Sequence, residues 1–202
     1  MKAIRVSAKG AHGKSVSRRS RASSVSSAAT KTGKVRGMRF RHMLSVDPGL
    51  TGTGVVYWRI GYPRASTVIH PKGDDLIDRA FSISMQIATF YYISIGKFPA
   101  GRTCMVIEYP EYQEGLRGQV SSQTGSIIKL AFLIGILVGA SSSGWEPFLV
   151  AVRDWKGQLP KQVITNRMIK YYGQQCKLIG IKTHAWDALG LGHWAMQQEW
   201  MR

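Results

Sequence analysis

"MLSVDPGLTGTGVVYW", residues 43–58, ends an apolar strand on an acid. Met43–Val46 and Gly54–Ile60 read as two strands joined by the Pro48–Thr53 turn. Asp47 lies where the first strand meets Pro-Gly. In that place it can be an ordinary turn former. It can equally be the first ligand of a metal site, because a carboxylate at the end of a buried strand needs a partner or a cation.

Outward from this stretch the pattern alternates between strand and helix. Pro63–His70 supplies a third strand. Asp74–Gly96 reads as a long helix, with Asp74 and Asp75 at its start and Leu76, Ile77, Ala80, Ile83 and Ile87 at helical spacing. Thr103–Glu108 is a short buried strand ended by Pro110. Ser121–Gly139 reads as a helix apolar nearly all round, and Phe148–Val152 as another strand. Pro160–Tyr172 fits a helix with proline in its first turn. Thr183–Trp200 is the last helix, with Thr183 placed to cap it. The order predicts an α/β domain with a mixed sheet flanked by helices.

The 202 residues carry 28 Lys and Arg against 11 Asp and Glu, a net charge of +17. Residues 1–41 hold 12 of the basic groups and no acid, whereas the remaining 16 face all 11 acids. Residues 1–38 lack hydrophobic periodicity and read as a disordered basic arm ahead of a domain at 39–202. An acid-free Arg- and Ser-rich segment also describes an organellar transit peptide. The arm reading implies a cytoplasmic protein of a bacterium or phage-infected cell, and the transit reading an organellar one. Nucleic acid is the expected polyanionic partner. No membrane is expected: the longest apolar run, Leu130–Ala140, is too short to span a bilayer. Cys104 and Cys176 read as free thiols.

Three body acids stand out. Asp47 ends one apolar strand, Glu108 ends another after "CMVI", and Asp187 lies in the last helix within "THAWDALGLGHW". His184, three positions before Asp187, faces the same way and can ligate a metal or move a proton. Each acid has a plainer reading, as a turn residue, a solvated strand end or a first-turn acid favoured by the helix dipole.

Together, "LSVDPGLTGTGVVYW", "MVIEYP" and "HAWDALGLGHWAM" resemble the catalytic motifs of RuvC-type Holliday junction resolvases, members of the RNase H-like superfamily. The stretch "RDWKGQLPK" resembles the basic loop of the smaller, phage-encoded branch. The resemblance covers about Met43 to Met201. It implies an RNase H-like fold whose first three strands are antiparallel. It places Asp47, Glu108 and Asp187 as catalytic carboxylates, with His184 where many members have Asp and some His. It further implies two Mg2+ ions on these four residues, with Mn2+ able to substitute, Asp47 bridging the pair, the others completing one ion each, and His184 alternatively ordering the attacking water. Carboxylates are the expected ligands of so hard a cation. The implied products are a 5′-phosphate and a 3′-hydroxyl. A symmetric dimer is implied as well, because a four-way junction has two opposed strands to cut.

Around the acids, Arg153, Lys156, Lys161 and Arg167 are candidate phosphate contacts. Tyr109 and Tyr112 are candidate platforms for an unpaired base. Trp155, Trp186 and Trp194 read as core. The apolar helix at Ile127–Val138 is either buried within the monomer or half of a dimer contact. The expected function is cleavage of branched DNA. The alternatives are an RNase H-like nuclease on a flap or RNA–DNA hybrid, and a DNA-binding protein that does not cut.

Overall fold

The computed structural model describes residues 4–5, 39–95, 102–111, 125–141 and 144–201. A mixed sheet organises the chain. Its strands are β1 (Ile4–Arg5), β2 (His42–Asp47), β3 (Thr53–Arg59), β4 (Tyr62–Ile69), β5 (Thr103–Tyr109) and β6 (Trp145–Ala151). Their spatial order is β1-β6-β5-β2-β3-β4. β2, β3 and β4 form an antiparallel meander. β5 and β6 then run parallel to β2. Within the arm segment 1–38 the described residues are Ile4–Arg5, paired antiparallel with β6.

Helices cover both faces. On one lie α1 (Leu76–Ile95) and α2 (Ser126–Ala140). On the other lie α4 (Lys161–Tyr172), α5 (Gln174–Leu178) and α6 (Ala185–Ala195), with the short α3 (Val152–Trp155) leading out of β6. Side chains alternate across a strand. Leu44 and Val46 therefore pack under α1 and α2, with Tyr57, Met105 and Ile107. Met43 points the other way, with Trp58, Val106, Leu189 and Leu191 under α6.

A buried polar relay ties the sheet to α6. Trp58 Nε1–H donates to Ser45 Oγ at 2.8 Å, and Ser45 Oγ–H donates to the Ala188 carbonyl at 2.6 Å. Ser45 is fully buried. Ser45→Ala strands the buried indole N–H and removes the extra bond to the Ala188 carbonyl, which keeps its partner within α6, a loss of about 1–3 kcal/mol. Urea denaturation at fixed pH measures it.

Both ends of the last helix differ from the sequence reading. α6 begins at Ala185, with His184 rather than Thr183 in the capping position and no side-chain cap. It also stops at Ala195, and a 3₁₀ turn follows at Glu199–Met201. The apolar pattern runs on because Met201 is buried in the core, while its carbonyl accepts from the Arg39 backbone N–H. The apolar helix α2 is buried on one side only. Leu133, Ile134 and Leu137 are core, while Ile128 is 73% exposed and Phe132 38%.

A carboxylate cluster at the end of the sheet

Alternation continues along β2 to put Asp47 on the same face as Met43 and Ser45, beneath α6. Glu108 follows Val106 to that face on β5. The two strands are parallel neighbours with Val46 opposite Ile107, so Asp47 and Glu108 come one step later, side by side. Asp187 approaches from the first turn of α6 and is buried. A close backbone approach sets its height. Any Cβ on Gly54 would run into the His184 carbonyl, so only glycine at the start of β3 admits the helix end here.

The three acids feel one another. Burial first, then the negative charges of Glu108 and Asp187, push the Asp47 carboxyl up to about 8, against the opposing pull of Lys156 and Lys161. Burial also raises Glu108, and Asp187 adds to this; Lys156 and the Trp155 hydrogen bond oppose it.

Cations already stand among them. Lys156 Nζ lies 2.9 Å from Asp187 Oδ1, and Lys161 Nζ lies 3.4 Å from Oδ2. Gly157, at φ 59°, takes the left-handed conformation of the turn between α3 and α4 that carries these two lysines. On the other side, Trp155 Nε1–H donates to Glu108 Oε2 at 2.9 Å. Among the described residues no group of three His, Cys, Asp or Glu side chains stands in metal-binding geometry. The donor chemistry nonetheless fits a hard divalent cation. Burial and crowding still push Asp47 up to about 8 despite the two lysines, so the cluster favours further positive charge.

The remaining predicted site residues divide. His184 is exposed and lies against the turn after Asp47: a Cβ on Gly52 would sit 3.4 Å from its Cδ2 and 3.6 Å from Nε2. Lys156 and Lys161 are ion-paired to the cluster rather than open to solvent on both sides. Arg153 reaches outward and pairs with Glu111 at 3.0 Å. Arg167 lines a separate cleft between α4 and α6. Tyr109 packs toward the α1 and α2 side, the face opposite the acids. Tyr112 lies outside the described residues. Trp155, Trp186 and Trp194 are packed against the core as expected, but the bond from Trp155 to Glu108 has no signal in the sequence.

No protein-family model and no curated protein matches the sequence. Among solved structures the chain is similar to Thermus thermophilus RuvC in complex with a Holliday junction substrate. The TM-score is 0.56 at 16% identity, covering 76% of this chain and 90% of that one. The fold is RuvC-like. A second Thermus thermophilus RuvC structure matches at TM-score 0.48 and 14% identity, over 76% of this chain and 92% of that one. The RuvC-like sheet is the mixed, RNase H-like arrangement, with the antiparallel meander at β2–β4 leading into the parallel strands.

The lysines of this RuvC-like fold invite a direct test. Lys156 and Asp187 are both largely buried, with side chains 18% and 10% exposed. Removing one partner of a buried pair leaves an uncompensated charge. Lys156→Met therefore lowers stability in chelator by roughly 2 kcal/mol, short of a full loss because Lys161 remains. If the carboxylates take up a divalent cation, millimolar Mg2+ should restore most of it. Urea curves with and without Mg2+ check both halves.

Proposed function

We propose that this chain is a metal-dependent, structure-specific endonuclease that cleaves branched DNA, with the four-way junction as its substrate. One observation carries the reading: three carboxylates from β2, β5 and α6 meet at one sheet end of a RuvC-like fold, with two lysines beside them. Asp47, Glu108 and Asp187, joined by His184, would hold two Mg2+ ions, or Mn2+ in their place. Such ions supply an activated water and stabilise the leaving oxygen of an in-line phosphodiester displacement. The products are a 5′-phosphate and a 3′-hydroxyl.

The chain's own groups do the rest. Trp155 fixes the orientation of Glu108 by its 2.9 Å hydrogen bond. Lys156 and Lys161 neutralise Asp187 until phosphate oxygens arrive, and then contact the phosphates. Arg153 and Arg167 extend the cationic surface along the strand. The exposed apolar side chains of α1 and α2, namely Ile77, Phe81, Met85, Ile128 and Phe132, support a homodimer that presents two sites to opposed strands. The proposed compartment is the cytoplasm of a bacterium or phage-infected cell; the resemblance to a phage-encoded branch rests on "RDWKGQLPK" alone.

The lysine–Asp187 pairs favour a second reading, a DNA-binding protein that does not cut. A cleavage panel in Mg2+ decides, using a synthetic four-way junction, three-way branch, flap, RNA–DNA hybrid and plain duplex. Preferential cutting of the four-way junction is expected. Preferential cutting of hybrid or flap moves the substrate, and junction binding without any cutting establishes the second reading.

The arm has its own expected result. Residues 1–38 contain ten Lys and Arg and no acid. Each phosphate neutralised on duplex DNA contributes a slope of about −0.9 in log affinity against log salt. Deleting 1–38 should flatten that slope by a few units and leave cleavage intact. Equal slopes for the two proteins would remove the arm from DNA binding.

A further inference from the structure

Behind the carboxylates, on the far side of one indole, α4 and α6 enclose a cleft of about 570 Å³. That lies within the size range of small-ligand sites, roughly 300–1,000 Å³. Trp155 and Trp194 form apolar walls, Tyr171 and His193 form another, and Arg167 and Lys170 stand at the rim. No Asp or Glu lines it. Among the described residues, neither Arg167 nor Lys170 has an ion-pair partner.

The walls are built to present ring faces. Tyr171 and His193 have centroids 4.5 Å apart. His193 is held at both nitrogens, by the Tyr172 hydroxyl at 2.7 Å and the Gln197 amide at 3.0 Å. Burial pushes its pKa down, so at neutral pH it is an uncharged aromatic wall. Trp155 is placed by Gly190, where a Cβ would come within 2.8 Å of the indole Cζ3. The same indole donates to Glu108 on its other side.

We infer that this cleft binds a single unstacked nucleotide, its base between the aromatic walls and its phosphate on Arg167 and Lys170. Aromatic walls accept any base face, and the rim supplies charge for one phosphate. That the nucleotide belongs to a branched DNA strand rests on the proposed function; the affinity of the cleft for a nucleotide does not. Branch points are where a base is least costly to unstack. An occupant stacked on Trp155 would touch the residue that orients Glu108, linking strand placement to the acids.

The test needs neither DNA nor metal. The full chain in chelator is titrated with thymidine 5′-monophosphate, thymidine or inorganic phosphate, and the indole N–H resonances are followed by NMR. The monophosphate should shift the Trp155 and Trp194 resonances saturably and leave buried Trp58 unmoved. Thymidine should bind about tenfold more weakly, as should the monophosphate to an Arg167→Gln, Lys170→Gln double variant. Both side chains are exposed, so the variant keeps its fold, checked by its thermal midpoint. Absence of saturable shifts would overturn the inference, as would equal affinity for nucleoside and monophosphate, unchanged affinity in the folded variant, or inorganic phosphate giving the same indole shifts. None of these outcomes bears on the cleavage panel, so the two readings fail separately.

Discussion

Asp47→Asn should reduce cleavage about 10³-fold or more while junction binding stays equal or tightens. The amide keeps the shape of the side chain and removes the charge that a cation would meet. A cation that stabilises the transition state by several kcal/mol accounts for that factor. Binding survives because it resides in the lysines and arginines, and one fewer negative charge faces the DNA. A folded variant that cuts at the wild-type rate would sink the assignment of Asp47.

The same substitution has an opposite effect on the metal-free fold. Asp47 titrates at about 8 in the folded chain against an ordinary 3.8. A carboxyl raised on folding stabilises the protein below its unfolded pKa. That stability is lost as pH rises through the folded value. Between these limits each pH unit costs up to about 1.4 kcal/mol. In chelator, wild type should lose thermal stability from about pH 4 to about pH 8, and Asp47→Asn should lose much less. Parallel curves for the two proteins would show that neither burial nor the neighbouring acids raise Asp47.

The second large effect falls on a glycine. Gly54→Ala drives a methyl group into the His184 carbonyl, a backbone atom with no rotamer to escape by. Overpacking of this kind costs typically about 1–3 kcal/mol, and backbone against Cβ belongs at the upper end. The start of α6 must lift, and Asp187 lifts with it. Stability and cleavage should therefore fall together, with DNA binding largely kept. Ser45→Ala provides the contrast: it weakens the attachment of α6 without displacing its first turn. A Gly54→Ala protein with unchanged denaturation midpoint would mean that the helix end sits farther from β3.

Much of this arrangement is legible along the chain. The alternation in "MLSVD" places Asp47 on the Met43 and Ser45 side, and "CMVIE" does the same for Glu108; strand periodicity is local. The ends of α6 are less legible, because apolar residues after Ala195 pack into the core without continuing the helix. The partners of Asp187 are not legible at all. Lys156 lies 31 residues before it, and nothing in "RDWKGQLPK" distinguishes a lysine aimed at a phosphate from one aimed at an acid. The same holds for Trp155, a core tryptophan by composition whose N–H nevertheless finds Glu108. The half-exposed α2 shows the complementary limit: a uniformly apolar helix carries no mark of which side meets the sheet.

Eight of the eleven residues of α6 are buried, and the Ala188 carbonyl is held from below by Ser45. The α6 amides are therefore expected to exchange with solvent among the slowest in the protein. Asp187 is thus carried by one of the most deeply packed elements of the described residues. Its lysine partners flank a glycine turn on long side chains, Lys156 largely buried and Lys161, at the start of α4, 41% exposed. On the proposed reading, the more exposed Lys161 is the member of these pairs best placed to meet a phosphate, while the acid is held in place by a packed helix.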